Sequence, residues 1–328
     1  MSVFHQKRIV CFGGGTGLPA LLSGLKRCPT LNVTAIVSMF DSGGSSGVLR
    51  DRFGILPPGD ILKCLLALSE DEQTARRILL KRIQHRESPG HTGGNVLLMA
   101  LEKVYGNYLS AVDALGQILS IQGRVVPVAL QPATLCAHYK DGSTACGETH
   151  VDEGLIAGKE VRELFLEPTV RASDSALQAI QQADLLCVGP GSFYTSVLPN
   201  FLPDGVRQAV AGSSAPIVFI ANLVTEGLGM QQQMFMDLIN QVEHALGRPF
   251  SSIIMNAQVP VGAPLDRYGE EHKYPILPAA ELLQDPRLIV ADLWRDNQIA
   301  RHDSATLADL ILALAQGNPS HSPYQGRI

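Results

Sequence analysis

The stretch CFGGGTGLPA, which begins at Cys11, sets four glycines around one threonine directly behind a short apolar run. Glycines between a strand and a helix let backbone N–H groups approach an anion, and the helix N-terminus adds the positive end of its dipole. The stretch predicts a phosphate cradle; the alternative is a tight turn that binds nothing. The residues of this predicted cradle are Gly13, Gly14, Gly15, Thr16 and Gly17.

The predicted cradle differs from the two commonest phosphate-binding motifs. The dinucleotide fingerprint G-x-G-x-x-G fails because Leu18 stands at its last position. No Gly-Lys-Ser/Thr follows, so the stretch is not a P-loop either. We therefore expect the phosphate of a nucleotide or nucleotide sugar here, and no NAD.

A second small-residue stretch, FDSGGSSGVLRDRFG, follows the next apolar run. Asp41 stands where α/β folds often hold a ribose hydroxyl, and a carboxylate there is equally suited to Mg²⁺. The alternative is a surface loop without a ligand. The candidate binding residues are Asp41, Ser42, Gly43, Gly44, Ser45 and Ser46, with Asp41 as the candidate metal ligand.

A third stretch, VGPGSFYTSVLPN, again follows an apolar run. It combines backbone and hydroxyl donors with one aromatic ring, which suits a sugar or base ring and its phosphate. A plain strand-to-helix loop is the alternative. The candidates are Gly189, Pro190, Gly191, Ser192, Tyr194 and Thr195.

Single polar residues at segment ends add further candidates. Asp60 is a binding candidate or a plain N-cap, and His91 is an acid/base, a phosphate ligand or a cap. Asn95 lies four residues after His91, and Asn222 ends an apolar run. Arg301 directly precedes the last predicted helix, where a guanidinium can grip a phosphate through two parallel hydrogen bonds.

Apolar runs that alternate with helical patterns position these residues. Such alternation predicts a mostly parallel sheet with helices on both faces, an α/β fold. Residues 59–121 read as helices and residues 124–167 as short strands, with a hairpin turn from Tyr139 to Thr144. We expect one domain over residues 1–328 with a helical and β insertion at about 59–167; two domains are the alternative.

The candidate stretches all follow predicted parallel strands. These stretches are Gly13–Gly17, Asp41–Ser46, Gly189–Ser196, Asn222 and Asn256. Because the carboxyl ends of parallel strands meet at one edge, where open α/β sheets bind ligands, we expect one shared site.

Composition limits the function classes. The 328 residues carry a net charge of −5 and no basic cluster, so no nucleic-acid partner is expected. The six cysteines show no Cys-x-x-Cys pair, which predicts buried thiols in a reducing compartment. No apolar stretch is long enough to span a membrane, and we expect a cytoplasmic protein without membrane insertion.

The chain resembles the CofD/YvcK-like family, which groups 2-phospho-L-lactate transferases with gluconeogenesis factors. The resemblance is carried by several motifs in order along nearly the whole chain, and it is stronger to the gluconeogenesis factor branch. After Asn222 that branch usually reads Thr-Gln-Pro-Gly-Glu-Thr, whereas this chain has LVTEGLGM. The motifs are GGGTGL, DSGGSSGVLRD, PPGD, GHTGGNVLLMAL, GRVVPVALQPATL, ADLLCVGPGSFYTSVLPN and RHD.

The resemblance implies a Rossmann-like fold and a UDP-sugar-binding regulator, UDP-N-acetylglucosamine above all, linked to carbon metabolism, cell-wall synthesis and cell shape. It leaves a second function open, a transferase that moves a phosphorylated group such as phospholactate onto a deazaflavin with Mg²⁺. It adds Tyr268 to the candidate residues and supports Arg301. The expected partner is a nucleotide sugar or another phosphorylated small molecule, and a homo-oligomer is expected.

Overall fold

The computed structural model describes residues 6–40, 56, 58–82, 92–226, 235–263, 265–280, 282–295 and 299–317. The described strands are β1 (Lys7–Gly13), β2 (Leu31–Val37), β3 (Arg124–Pro127), β4 (Thr134–Tyr139), β5 (Thr144–Cys146), β6 (Val161–Glu167), β7 (Leu185–Val188), β8 (Ile217–Ile220), β9 (Ser252–Asn256) and β10 (Leu288–Ala291). The described helices are α1 (Gly17–Leu25), α2 (Gly59–Leu68), α3 (Glu72–Leu79), α4 (Gly93–Tyr105), α5 (Tyr108–Ile118), α6 (Glu148–Ile156), α7 (Asp174–Gln182), α8 (Val206–Gly212), α9 (Phe235–Leu246), α10 (Leu265–Glu270) and α11 (Ser304–Ala315).

Seven strands form one parallel sheet in the order β10-β9-β8-β7-β1-β2-β3. The buried part of strand β1, from Ile9 to Phe12, is apolar throughout, whereas Lys7 and Arg8 at its start are exposed. Val10 and Phe12 belong to the core on one face, while Ile9 and Cys11 belong to the core on the other. Because neighbouring side chains of a strand point to opposite faces, a strand covered on both sides has no polar position. The α/β fold class is confirmed.

The chain changes direction in the sheet beside β1. Strands β2 and β3 extend the sheet on one side of β1, and β7 to β10 extend it on the other. The carboxyl ends of β1 and β7 therefore border a topological switch point, which is where open α/β sheets bind ligands.

The middle of the chain contains the predicted helices α2 to α5 and a separate three-stranded antiparallel sheet, β5-β4-β6. The hairpin predicted between Tyr139 and Thr144 joins β4 to β5, and Tyr139 N–H donates to Ser143 O at 2.9 Å. Strand β3 instead pairs with β2 in the main sheet. The division into one domain with an insertion stays a prediction.

Helix α6 lies in the segment for which strands alone were expected. It buries only Val151 and Leu155 among its nine residues. Two apolar residues four positions apart are too few to produce a recognisable helical period in the sequence. This error matters because α6 forms one wall of the candidate site.

One expectation about the cysteines was wrong. Cys136 and Cys146 lie directly opposite each other on β4 and β5, with Cα atoms 4.1 Å apart, and form a disulfide. Their spacing matches no Cys-x-x-Cys motif, so only the hairpin pairing reveals them. Cys11, Cys64 and Cys187 are buried free thiols, as expected. The cysteines thus no longer support a reducing compartment, since disulfides are rare there.

Among the described residues, no helix combines the length and the apolar character that crossing a membrane requires.

Candidate functional site

The candidate site begins where β1 and β7 end side by side. Phe12 pairs with Val188, and Gly189 N–H donates to Phe12 O at 2.9 Å. The glycine turn after β1 and the loop after β7 therefore leave the sheet together. Two of the three predicted glycine-rich or serine-rich stretches are thus in contact.

Close packing between these two loops explains several of the glycines. A Cβ atom on Gly17 would lie 2.7 Å from the Pro190 backbone, and one on Gly13 would lie 3.2 Å from Pro190 O. Gly15 is different, because its φ of +61° favours glycine while a Cβ there would meet only Ser196 Oγ, at an ordinary contact distance of 3.5 Å. Loop packing thus requires Gly17, whereas Gly15 requires glycine for its backbone conformation and lines two cavities.

Asp60 holds the glycine turn from outside the sheet. Its Oδ2 accepts the Gly15 N–H at 2.6 Å, and its Oδ1 accepts from Lys63 Nζ at 2.8 Å. Asp60 is not the N-cap of α2, since Pro58 occupies that position. A carboxylate therefore already occupies a donor that the sequence had assigned to phosphate.

Glu226 holds the loop after β7 by hydrogen bonds, as Asp60 holds the glycine turn. Its Oε2 accepts from Ser192 Oγ at 2.8 Å, and its two oxygens share the Phe193 N–H at 3.1 and 3.3 Å. Because the single Ser192 proton is donated to Glu226, Thr195 Oγ1 must donate to Ser192 Oγ, 2.7 Å away. The donors of this loop thus converge on one carboxylate.

Asn222 connects the loop to Glu226. Its side-chain amide donates to Glu226 Oε1 and to Gly191 O, both at 2.8 Å, and its Oδ1 accepts the Gly191 N–H at 3.0 Å. Asn222 therefore fixes the Gly191 backbone on both sides. Burial raises the pKa of the Glu226 carboxyl to about 7, although the hydrogen bonds from Ser192 and Phe193 lower it.

A large cavity of about 910 Å³ opens above these loops, and we name it the acidic pocket. Gly15, Thr16 and Gly17 form its floor together with Pro190, Gly191 and Ser192, and α6 contributes a wall. Its volume matches ligand sites in proteins. Its ionisable lining consists of four carboxyl groups, two histidines, one lysine and one tyrosine: Asp152, Glu226, Glu270, Glu271, His272, His302, Lys273 and Tyr268.

A second cavity of about 420 Å³ shares Gly15 and Thr16 with the first, and we name it the arginine pocket. Arg27, Arg295 and Arg301 are exposed there, and none of them makes a side-chain ion pair with another described residue. The cationic side chains outnumber the acidic ones by five to two: Arg27, Lys63, Arg76, Arg295 and Arg301 against Glu72 and Asp303.

The two acidic groups of the arginine pocket are already engaged. Glu72 accepts from Lys26 at 2.9 Å and from Arg76 at 2.8 Å. Asp303 caps α11 by accepting the Thr306 N–H at 2.7 Å. The three exposed guanidinium groups therefore have no described carboxylate to neutralise them, which makes the pocket suitable for an anion.

The segment that carries Arg301 also places His302 at the acidic pocket. His302 Nε2 donates to Ala221 O at 3.0 Å, since a carbonyl only accepts. Burial lowers the pKa of His302 to about 4, so the ring is neutral near pH 7. Tyr268 lines the same pocket, and its hydroxyl accepts the Ala300 N–H at 2.5 Å.

Not every candidate residue faces a cavity. Tyr194 is fully buried and its hydroxyl donates to Gln241 Oε1 at 3.4 Å, while Asn95 is buried in the first turn of α4 and lines neither pocket. Gly13, Gly14, Gly189 and Thr195 lie beneath the surface of the site. Seven candidates lie outside the described residues: Asp41, Ser42, Gly43, Gly44, Ser45, Ser46 and His91.

Sequence reasoning missed Glu226 and most of the arginine pocket. Glu226 stands four residues after Asn222, in the stretch noted only as a departure from the resembled family. Arg27 stands next to Lys26 and Arg295 is an isolated basic residue, and neither position carries a motif that marks a site. Only the contact between distant segments groups them with Arg301.

The described residues do not by themselves fit a metal. They contain no group of three or more histidine, cysteine or carboxylate side chains positioned to share an ion. Both oxygens of Asp60 already accept hydrogen bonds. An Mg²⁺ site at Asp41 stays a prediction, because Asp41 lies outside the described part of the chain.

Comparison with known proteins identifies relatives over the whole fold. A gluconeogenesis factor of Listeria monocytogenes is 35% identical, and the match covers 94% of this chain and 96% of that protein. A protein of Thermotoga maritima described as a putative gluconeogenesis factor is 34% identical over 93% of this chain and 98% of its own. A crystal structure of a UPF0052 family member from Bacillus halodurans superposes with a TM-score of 0.87 at 31% identity, over 94% of this chain and 99% of that one.

The model of one protein family, 2-phospho-L-lactate transferase CofD, matches residues 9–291. This range runs from β1 to β10 and includes both loops of the switch point. By this match and by its gluconeogenesis factor relatives, the chain belongs to the CofD family.

Proposed function

We propose that this protein binds a nucleotide sugar of the UDP-sugar type, such as UDP-N-acetylglucosamine, and acts in the cytoplasm as a regulator linked to carbon metabolism and to cell-wall and cell-shape control. One observation carries the binding proposal: Gly15 and Thr16 line two pockets of opposite charge. A nucleotide sugar has the matching composition, because a diphosphate connects its two uncharged ring systems.

The sizes of the two pockets support this assignment. About 910 Å³ on the acidic side has room for ring systems with hydroxyl groups, and about 420 Å³ on the arginine side has room for phosphates. The two relatives are named as gluconeogenesis factors, without a reaction, which favours a regulator.

Isothermal titration calorimetry with UDP-N-acetylglucosamine tests the proposal. We expect Arg301→Ala to weaken binding by about 1.5–3 kcal/mol, the usual worth of a charge-assisted hydrogen bond. Arg301→Lys should fall between wild type and alanine, because an ammonium cannot form two parallel bonds.

Arg162→Ala is the matched control, since Arg162 is exposed on β6 and lines neither pocket. Its affinity should equal that of the wild type. No heat of binding with the wild-type protein would overturn the proposal, and normal affinity in Arg301→Ala would remove the phosphate role of Arg301.

A second function, transfer of a phosphorylated group, is favoured by the match to the 2-phospho-L-lactate transferase family model. The test is incubation with a nucleotide-activated phospholactate, a deazaflavin acceptor and Mg²⁺, followed by mass spectrometry. Formation of the phospholactyl product would favour the transferase. Nucleotide-sugar binding without product would favour the regulator.

We also propose that Mg²⁺ takes part only together with the ligand, through Asp41 and the phosphates. Mg²⁺ should then bind weakly alone and more tightly when nucleotide is present. Tight calorimetric binding of Mg²⁺ to the free protein would contradict this.

Finally, we propose a homo-oligomer. Light scattering after size-exclusion chromatography tests this, and a monomeric mass would contradict it.

A further inference from the structure

The loop after β7 has the composition of an anion site, yet its donors are taken. The Ser192 hydroxyl and the Phe193 N–H donate to Glu226, and the Asn222 amide donates to it as well. A phosphate at this turn would have to replace or approach a carboxylate. Repulsion between like charges in a partly buried site disfavours that arrangement.

The Glu226 carboxylate nevertheless keeps acceptor capacity. A carboxylate offers about four lone-pair positions, and three donors reach Glu226 from the protein. Glu226 also lines the acidic pocket. The remaining position therefore suits a donor from a ligand, such as a sugar hydroxyl or an amide N–H.

The second pocket offers the opposite chemistry. Arg27, Arg295 and Arg301 lie on the other side of Gly15 and Thr16, where exposed guanidinium groups face no described carboxylate partner. A ligand that crosses the glycine turn thus meets acceptors on one side and donors on the other.

We infer that Glu226 is the specificity-determining residue of the acidic pocket: its carboxylate closes the Gly191–Thr195 turn to phosphate and accepts a hydrogen bond from an uncharged hydroxyl or amide group of the ligand. The phosphates then lie on the arginine side of the glycine turn. This inference rests on the proposed nucleotide-sugar binding. It predicts the orientation of the ligand, with an uncharged group at Glu226 and the phosphates in the arginine pocket.

The inference makes affinity depend on pH. Only the ionised carboxylate accepts all three protein donors and a fourth from the ligand, so affinity should rise from about pH 6 to about pH 8 around a Glu226 pKa of about 7. Other ionisable groups line the same pocket, and the comparison of wild type with the Glu226 variants separates their titration from that of Glu226. They are Asp152, Glu270, Glu271, His272, Lys273, His302 and Tyr268.

The first experiment compares calorimetric affinities of wild type, Glu226→Gln and Glu226→Asp. We expect Glu226→Gln to lose about tenfold to hundredfold in affinity for UDP-N-acetylglucosamine and to lose the pH dependence. Glu226→Asp should keep the pH dependence. Glu163→Gln, an exposed site on β6, is the charge-matched control and should behave as wild type.

Two ligand fragments identify which uncharged end lies at Glu226. If the sugar lies there, Glu226→Gln should weaken N-acetylglucosamine 1-phosphate but not UDP. If the uridine lies there, the order should reverse. Unchanged affinity for all three compounds would overturn the inference.

A second experiment needs no nucleotide. Glu226→Ala removes the carboxylate and leaves its three donors, so formate or inorganic phosphate should raise the thermal midpoint of the Glu226→Ala/Arg301→Ala protein but not that of Arg301→Ala alone. If the alanine variant does not fold, Glu226→Ser, which also vacates the carboxylate position, replaces it. No anion effect in either variant would overturn the inference. Failure of UDP-N-acetylglucosamine to bind the wild type would instead overturn the proposed function, and this anion test would still decide the role of Glu226.

Discussion

The acidic pocket and the arginine pocket share a glycine turn but differ in whether their charged side chains are paired within the protein. Glu226 in the acidic pocket accepts from three protein donors, whereas Arg301 in the arginine pocket is exposed and makes no described ion pair. The comparison shows that a glycine-rich loop does not by itself mark a phosphate position. What decides the position of an anion is which donors the protein has left unused.

The largest expected effect concerns His302 in the acidic pocket. Its ordinary pKa is 6.5 and its folded pKa is about 4, so the unfolded chain binds more protons between these values. The neutral His302 ring therefore makes its full contribution to the free energy of unfolding above about pH 6.5. That contribution, about 3 kcal/mol, is lost as the pH falls toward 4. Urea unfolding from about pH 7 to about pH 4 should show that loss in wild type but not in His302→Gln.

Glu226 changes stability in the opposite direction, because its pKa is raised from 4.5 to about 7 and its contribution falls as the pH rises through that range. The His302 comparison is therefore repeated in the Glu226→Gln background. Equal pH profiles with and without His302 would show that the ring is not buried as a neutral group.

A smaller effect is expected at Asp60, whose carboxylate holds the turn between the pockets. Asp60→Ala leaves the Gly15 N–H and Lys63 without this partner, and should lower the free energy of unfolding by about 1.5–3 kcal/mol. It also frees a donor, so inorganic phosphate should stabilise the variant more than wild type. Asp113→Ala breaks an exposed ion pair with Arg124 and is the control, worth about 0–1 kcal/mol. Equal stability losses in the two variants would contradict the role of Asp60.

The glycines separate loop packing from ligand contact. Gly17→Ala brings a Cβ against the Pro190 backbone and should cost about 1–3 kcal/mol of stability. Gly15→Ala should cost only about 1 kcal/mol, because its Cβ would meet only Ser196 Oγ at an ordinary 3.5 Å and the strain comes from its positive φ. Gly142→Ala in the β4–β5 hairpin is the matched control, with φ +86° and open space. Gly15→Ala and Gly142→Ala should be equally destabilised, but only Gly15→Ala should lose affinity for UDP-N-acetylglucosamine; equal affinities would separate Gly15 from the ligand.

The smallest effect is expected for Arg27→Ala. Arg27 is exposed in the arginine pocket, so its removal should weaken UDP-N-acetylglucosamine binding by about 1 kcal/mol or less and leave stability unchanged. The difference from wild type should shrink as salt screens the charge. A difference in affinity that persists at high salt would show a direct hydrogen bond in place of a screened charge.

The sequence by itself determined most of the elements, with α6 as an exception, and the edge of the sheet that carries the candidate site. The apolar run of β1 has no polar position because both faces are covered, and Ser173, a residue type that favours helix N-caps, caps α7 by accepting the Ala176 N–H at 3.2 Å. Gly15, Gly191 and Asn222 were found because each follows a strand, and strand ends are visible in the local pattern. The strand-end pattern located these residues, but it did not determine which groups their hydrogen-bond donors bind.

Tertiary structure alone decided which groups use those donors. Asp60 lies 45 residues from Gly15 and Glu226 lies 34 from Ser192, so no local period relates them. Arg27 and Arg301 likewise line one pocket only because α1 packs against α11. Helical and strand periods in the sequence indicate which face of an element is buried. The partner of a polar group depends instead on how distant segments pack. That packing produces two pockets of opposite charge where the sequence predicted one phosphate cradle.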